Sequence, residues 1–227
     1  LLQPARCSKR AGVLLALAAV AVCGLTLTAH ADEQSRWTFA FGGQDAPDYT
    51  QVKPDAIYNK AAGFGFEGKP DAKVVEGSGD AKTDGSLVAG APFYFSAAVP
   101  EGNYRVTVTL GDPNAASDTT IKAELRRLFV EHIHTDPGKY QTVQFIVNER
   151  RPDIKGGGEV KLKAPRESTT EAWDWDDKLT FEFNNAHPAI ATIEIDKADV
   201  PTLYILGDST VCDQPSEPWA SWGQMLT

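Results

Sequence analysis

Gly207-Asp208-Ser209 follows an apolar run, Leu203 to Leu206, and precedes Thr210-Val211. A glycine and an aspartate at the end of a strand-like segment make a tight turn, and such a turn presents a serine hydroxyl as a nucleophile. A neutral hydroxyl attacks poorly without an adjacent base, usually a histidine. Eighteen residues follow Ser209 and none is a histidine. Beyond the first thirty-one residues the histidines are His132, His134 and His187, all well upstream. His132-x-His134 puts two imidazoles on one face of a strand, which suits metal ligation. No third ligand is spaced to join them, and Thr135 to Gly138 reads as a turn directly after. Solvent-facing side chains are therefore expected, and no metal site is assigned. Trp173 and Trp175 stand among acids in "EAWDWDD". An aromatic platform beside carboxylates is a sugar-binding pattern, although such tryptophans also pack on sandwich cores.

Short β-rich runs must position these residues. They are "RWTFAF" from Arg36, "PFYFSAAV" from Pro92, "YRVTVTL" from Tyr104, "TTIKAEL" from Thr119, "QTVQFIV" from Gln141, "EVKLK" from Glu159, "KLTFEF" from Lys178 and "IATIEI" from Ile190. Tyr104, Val106, Val108 and Leu110 alternate with Arg105, Thr107 and Thr109, which marks a strand with one buried face. Pro100-Glu101-Gly102-Asn103, Asp136-Pro137-Gly138 and Gly156-Gly157-Gly158 supply turn chemistry between runs. Lys69 to Ser86 is polar and glycine-rich and reads as a loop. About eight or more antiparallel strands with turns between them predict a β-sandwich of jelly-roll type over 35–199. Thr202 to Leu206 is apolar without alternation. It reads as a strand buried on both faces, the first strand of a truncated α/β domain over 200–227.

Residues 1–31 read as a signal peptide. Arg6, Lys9 and Arg10 form a positive region, Ala11 to Leu27 is an apolar run, and Ala29-His30-Ala31 offers small residues for cleavage before Asp32. The run is short for a membrane span. Removal of three basic and no acidic side chains takes the formal charge from −9 to −12. So acidic a surface argues against nucleic acid and against an anionic membrane after cleavage. Cys7 and Cys23 leave with the leader, so Cys212 has no intrachain disulfide partner. Export to the periplasm or the exterior is expected. Leu1 and the apolar Met225-Leu226 suggest that the sequence is a fragment of a longer chain.

"YILGDSTV" followed by "WASWGQML" resembles the start of an SGNH (GDSL-type) esterase, most closely a rhamnogalacturonan acetylesterase. "FAFGGQDAPDYTQV", "AAGFGFEG", "PEGNYRVTVTLGD" and "DWDDKLTFEF" resemble the galactose-binding-like β-domain that precedes the esterase domain in many bacterial pectin acetylesterases. The resemblance implies that Ser209 is the nucleophile and one backbone oxyanion donor, flanked by Gly207 and Asp208. It implies further oxyanion donors, a glycine and an asparagine, and a late Asp-x-x-His pair, none of which this sequence contains. Ser221-Trp222-Gly223-Gln224 departs from the family's Gly-Trp-Gly-Gln pattern at its first residue. The implied substrate is acetylated pectic polysaccharide, and no cofactor is needed. A non-catalytic carbohydrate-binding module is the alternative reading, with Trp173 and Trp175 as its contact residues.

Overall fold

Alternation of apolar and polar residues writes two faces onto each strand, and the apolar faces must be buried against each other. A computed structural model describes residues 34–42, 46–80, 82–169, 171–214 and 219–226. The signal-peptide reading of residues 1–31 lies outside the described residues. The strands are β1 (Arg36–Ala40), β2 (Thr50–Gln51), β3 (Phe64–Phe66), β4 (Ala72–Glu76), β5 (Gly85–Ala89), β6 (Phe93–Ala98), β7 (Gly102–Leu110), β8 (Ser117–Ala123), β9 (Arg127–Thr135), β10 (Gln141–Glu149), β11 (Lys178–His187) and β12 (Ala189–Ala198).

They form two sheets. The seven-stranded sheet runs β10-β7-β12-β1-β2, with the β4–β5 hairpin joined to it through β5 and β12. The five-stranded sheet runs β3-β6-β11-β8-β9. The pairings are antiparallel apart from β1 with β2, which is parallel. The fold is a mainly-β sandwich, as the alternating runs predict.

The inward residues of the two sheets meet as one aromatic-rich core. Tyr104, Val106, Val108 and Leu110 on β7 and Ile190, Ile193 and Ile195 on β12 are fully buried from one side. Phe95, Phe181 and Phe183 are fully buried from the other. Phe95 lies 5.1 Å from Phe39, 5.1 Å from Phe41 and 5.7 Å from Phe66, each pair edge-to-face. That arrangement places ring edges on ring faces, the geometry that the aromatic quadrupole favours. Gly65 lets β3 pass the chain at Ala56–Tyr58. It holds φ +146°, and a Cβ there would lie 2.6 Å from Tyr58 Cα and 2.7 Å from Ala56 O.

Three segments differ from their sequence reading. Lys69 to Ser86, read as a loop, contains β4, and β5 begins at its end. β5 is buried throughout, because it fills the corner beside β12. "EVKLK" forms no strand; only Glu159 makes an isolated bridge, with Asp153. Its Val160 and Leu162 are half-exposed, and without a neighbouring edge its alternation has nothing to bury. Thr202 to Leu206 has no ladder partner, and Leu203 and Leu206 are 79% and 93% exposed. A run apolar on both faces needs strand neighbours and covering helices, and the described residues supply neither.

Candidate functional site

Ser209 stands at the tip of a hydrogen-bonded turn. Val211 N and Cys212 N both donate to Asp208 O at 2.9 Å. Asp208 Oδ1 accepts from Thr210 N at 3.0 Å and from Thr210 Oγ1 at 2.8 Å, an aspartate-capped turn. Those two bonds hold the Asp208 carboxyl below the usual carboxylate range. Gly207 is required here for space, because a Cβ would meet the Val211 side chain, with Val211 Cβ at 2.8 Å. The turn exposes Ser209 to solvent. Each described histidine is engaged elsewhere: His132 and His134 with Asp118, and His187 Nε2 with Asp112 Oδ2 at 2.8 Å. Gly207, Asp208 and Ser209 are thus brought together, and among the described residues no imidazole hydrogen-bonds to the Ser209 hydroxyl.

The segment beyond the turn is anchored to the sandwich. Gln224 is buried and donates from Nε2 to Leu125 O and to Gln214 O, both at 3.0 Å. Its Oε1 accepts from Ser221 N at 3.0 Å, and its N donates to Ser221 Oγ at 3.1 Å. Ser221 Oγ in turn donates to Val211 O at 2.9 Å. The serine that stands where the resembled family has glycine therefore ties Gln224 to the Ser209 turn. Arg126 completes the attachment, its Nη1 donating to Gln214 O and Trp219 O at 3.0 Å. Sequence reasoning does not single out Arg126 or the reach of Gln224, since both depend on the loop between β8 and β9.

Acids cluster under this attachment. Arg150 Nη2 lies 3.0 Å from Asp174 Oδ1 and 3.6 Å from Asp213 Oδ2. Burial, and then the Asp174 charge, push Asp213 up to about 7. Burial likewise raises Glu124 well above its ordinary range, with Asp174 adding to it. Glu149, which precedes Arg150 in the chain, is 1% exposed with no hydrogen bond to either oxygen; burial raises it to about 8 although Arg151 Nε lies 3.8 Å from its Oε1.

These shifts predict a pH-dependent attachment. Docked Asp213 holds its proton to about pH 7, whereas a released tail titrates in the ordinary carboxylate range. The docked state is therefore favoured most below about pH 4, and that advantage is lost as pH rises through about 7. Limited proteolysis within 199–214, normalised to Asp213→Asn, should be about tenfold or more faster at pH 8 than at pH 5, since each tenfold is only about 1.4 kcal/mol. Equal pH dependence in the two proteins would rule this coupling out.

Trp173 and Trp175 sit on and just after the 3₁₀ turn Glu171–Asp174. Both are half-buried. Trp173 meets Tyr94 edge-on at 5.4 Å, with Lys178 Nζ 5.9 Å from its ring centre. Trp175 carries the Arg150 guanidinium over its ring at 4.9 Å. Tyr94 alternates with the core residues Phe93 and Phe95, so Trp173 packs outside the five-stranded sheet rather than in the core.

The expectation that no third ligand joins His132 and His134 is corrected by the strand register. Asp118 faces His134 across the β8–β9 ladder. Its Oδ2 lies 3.2 Å from His132 Nδ1, and its Oδ1 lies 3.7 Å from His134 Nδ1. Pairing across a ladder unites residues that are distant in sequence.

This architecture defines a galactose-binding-like β-sandwich. Residues 37–128 match the family model described as "Beta-agarase/YXIM esterase-like, galactose-binding domain-like". The chain is 29% identical over 210 residues to the uncharacterised esterase YxiM of Bacillus subtilis (strain 168), covering 86% of this chain and 48% of that protein. The crystal structure of Bacillus subtilis YxiM superposes with a TM-score of 0.53 at 25% identity, over 84% of this chain and 50% of that one. The chain thus spans about half the length of this relative. The chain is similar to an esterase, and its sandwich to the galactose-binding-like domain that the family model describes.

Proposed function

We propose that this chain is the sandwich and nucleophile segment of an exported SGNH-type carbohydrate esterase that removes acetyl groups from pectic rhamnogalacturonan. Ser209 Oγ attacks the acetyl carbonyl, and the Ser209 N–H donates to the oxyanion. The sugar hydroxyl leaves as the tetrahedral intermediate collapses, and water then releases acetate from the acetyl-serine. The observation that carries this reading is the Asp208-capped turn, which exposes Ser209 on a chain similar to an esterase. The sandwich, held to the same segment through Gln224 and Arg126, positions the polysaccharide beside that serine. A fluorophosphonate should label Ser209 in a longer chain that continues residues 1–227 through a complete esterase domain. Labelling that persists in its Ser209→Ala variant would remove the nucleophile assignment.

Export is the second part of the proposal. Arg6, Lys9 and Arg10 followed by the apolar run to Leu27 support a leader cleaved before Asp32. Amino-terminal sequencing of exported protein should begin at Asp32. Material that retains Arg6 to Ala31 would contradict it.

A further inference from the structure

Polar side chains concentrate on the outer face of the five-stranded sheet where β9, β8 and β11 lie side by side. Asp118 and Thr120 on β8 alternate with Thr119 and Ile121, which are fully buried on the inner face. His132 and His134 on β9 flank Ile133, which packs against the core, so both imidazoles share the outer face with Asp118. Their rings stack at 5.9 Å with 20° between planes.

Two ladder irregularities meet here. The β8–β9 register shifts between Thr119 and Ile121, and the β11–β8 register shifts between Asn184 and His187. Bulges re-aim side chains that regular pairing would direct elsewhere. At the first stands His132 with φ +51°, and at the second Asn185 with φ +99°. A residue with a Cβ seldom holds such a backbone, and strain of this kind gathers where a side chain must be aimed. Both residues converge on one point. Thr120 Oγ1 accepts from His132 N at 3.0 Å and from Asn185 Nδ2 at 2.8 Å, which fixes the two bulges together.

The spacing suits a tetrahedral ion. Ligands about 2.0–2.1 Å from a zinc ion at tetrahedral angles stand roughly 3.3–3.4 Å apart. His132 Nδ1 lies 3.3 Å and 3.2 Å from the two Asp118 oxygens, and His134 Nδ1 lies 3.7 Å from Oδ1. All three ligand groups offer atoms within 4.8 Å of one another. The Asn185 amide stands 3.0 Å from His132 Nδ1 and 3.2 Å from Asp118 Oδ1. Turned over, it presents its carbonyl oxygen to the same space; as it stands, it hydrogen-bonds the carboxylate as an outer partner.

We propose that Asp118, His132 and His134 bind one divalent first-row transition-metal ion, of which Zn²⁺ is the type, on the outer face of the sandwich. Two imidazoles and one carboxylate suit such an ion, whereas Ca²⁺ and Mg²⁺ take oxygen ligands. The His132 and His134 side chains are 56% and 71% exposed, so a fourth position opens to solvent and takes water. A bound ion cross-links β8 to β9 and stabilises the fold by mass action. This site is independent of Ser209 and of the esterase reading.

The test is titration of the full chain, with Cys7, Cys23 and Cys212 alkylated, by Co²⁺ as the spectroscopic probe. One equivalent should bind with visible d–d absorption and no thiolate charge-transfer band, Zn²⁺ should displace it, and Zn²⁺ should raise Tm. Outer partners alone are worth roughly 10–100-fold in metal affinity, which is the loss expected for Asn185→Ala; His134→Ala and Asp118→Asn should lose on the order of 100-fold or more. His134→Ala decides the matter, because its truncation removes an exposed side chain and its metal-free Tm should equal that of the parent. Absence of saturable one-to-one binding, or parental affinity in His134→Ala, would overturn the proposal.

Discussion

Residues 1–227 and their Ser209→Ala variant should hydrolyse acetyl esters at the same background rate, whereas a longer chain with a complete esterase domain should depend on Ser209. The first half follows from the surroundings of the hydroxyl. A general base contributes typically about 10²–10⁴-fold, and the described histidines are all committed to Asp112 or Asp118. Each missing oxyanion donor costs on the order of 10²–10³-fold more. In the longer chain, Ser209→Ala should lower kcat on acetylated pectin by at least about 10⁴-fold, the loss that follows when a nucleophile and its base act as a unit. Serine-dependent turnover by residues 1–227 alone would mean that another group serves as base. A longer chain indifferent to Ser209→Ala would end the esterase proposal while leaving the sandwich fold and the metal proposal untouched.

Phe95→Ala should be the most damaging single truncation in the core. Phe95 is fully buried on β6, and its ring is shared by Phe39 and Phe41 from the opposing sheet side and by Phe66 from β3. Removing a buried phenyl costs about 3–5 kcal/mol through lost transfer energy and the cavity left behind. The lost edge-to-face contacts are worth about 0.5–1.5 kcal/mol per pair, in part already within that figure. Against a typical domain stability of about 5–15 kcal/mol, the variant is left marginal at 37 °C. Denaturant unfolding should show a large fall in midpoint with an unchanged slope. A loss below about 1 kcal/mol would show that the three neighbouring rings close over the space. Phe145→Ala is the contrast, since that ring is only partly buried beside Phe129 and should cost much less.

How legible each part was depends on whether its cause is local. β7 announces itself because Tyr104 to Leu110 largely alternates buried with more exposed residues against a facing sheet, and β12 because "IATIEI" is β-rich, although Ile190 to Ile195 is buried throughout. β5 does not, because Gly85 to Ala89 is short, buried on both faces and preceded by glycine-rich polar sequence. "EVKLK" has the alternation of a strand but no edge to join. The Ser209 turn is readable from Gly207 and Asp208, since an aspartate that caps its own turn is a local device. Asp118 is not readable as a partner of His132 and His134. That grouping needs the β8–β9 register and two bulges, which arise from pairing rather than from any one segment. The same holds for Gln224, whose hydrogen bond to Leu125 O spans 99 positions.

The Gln224 bond and the Arg126 bonds have a mechanical consequence. Residues 199–224 leave the sandwich covalently at the end of β12 and return to it non-covalently at Leu125 and Arg126. A single linker would leave the Ser209 segment free to swivel. Attachment at both ends turns it into a closed ring, with Asn103 bonded to Val200 and Thr202 and Arg150 paired with Asp213 along the way; the covalent end acts as hinge and the Gln224 end as latch. Load applied beyond Gln224 then runs through the latch into the β8–β9 hairpin before it reaches the hinge. Opening the latch, as ionisation of Asp213 would favour, lengthens the free tether in one step and restores the swivel.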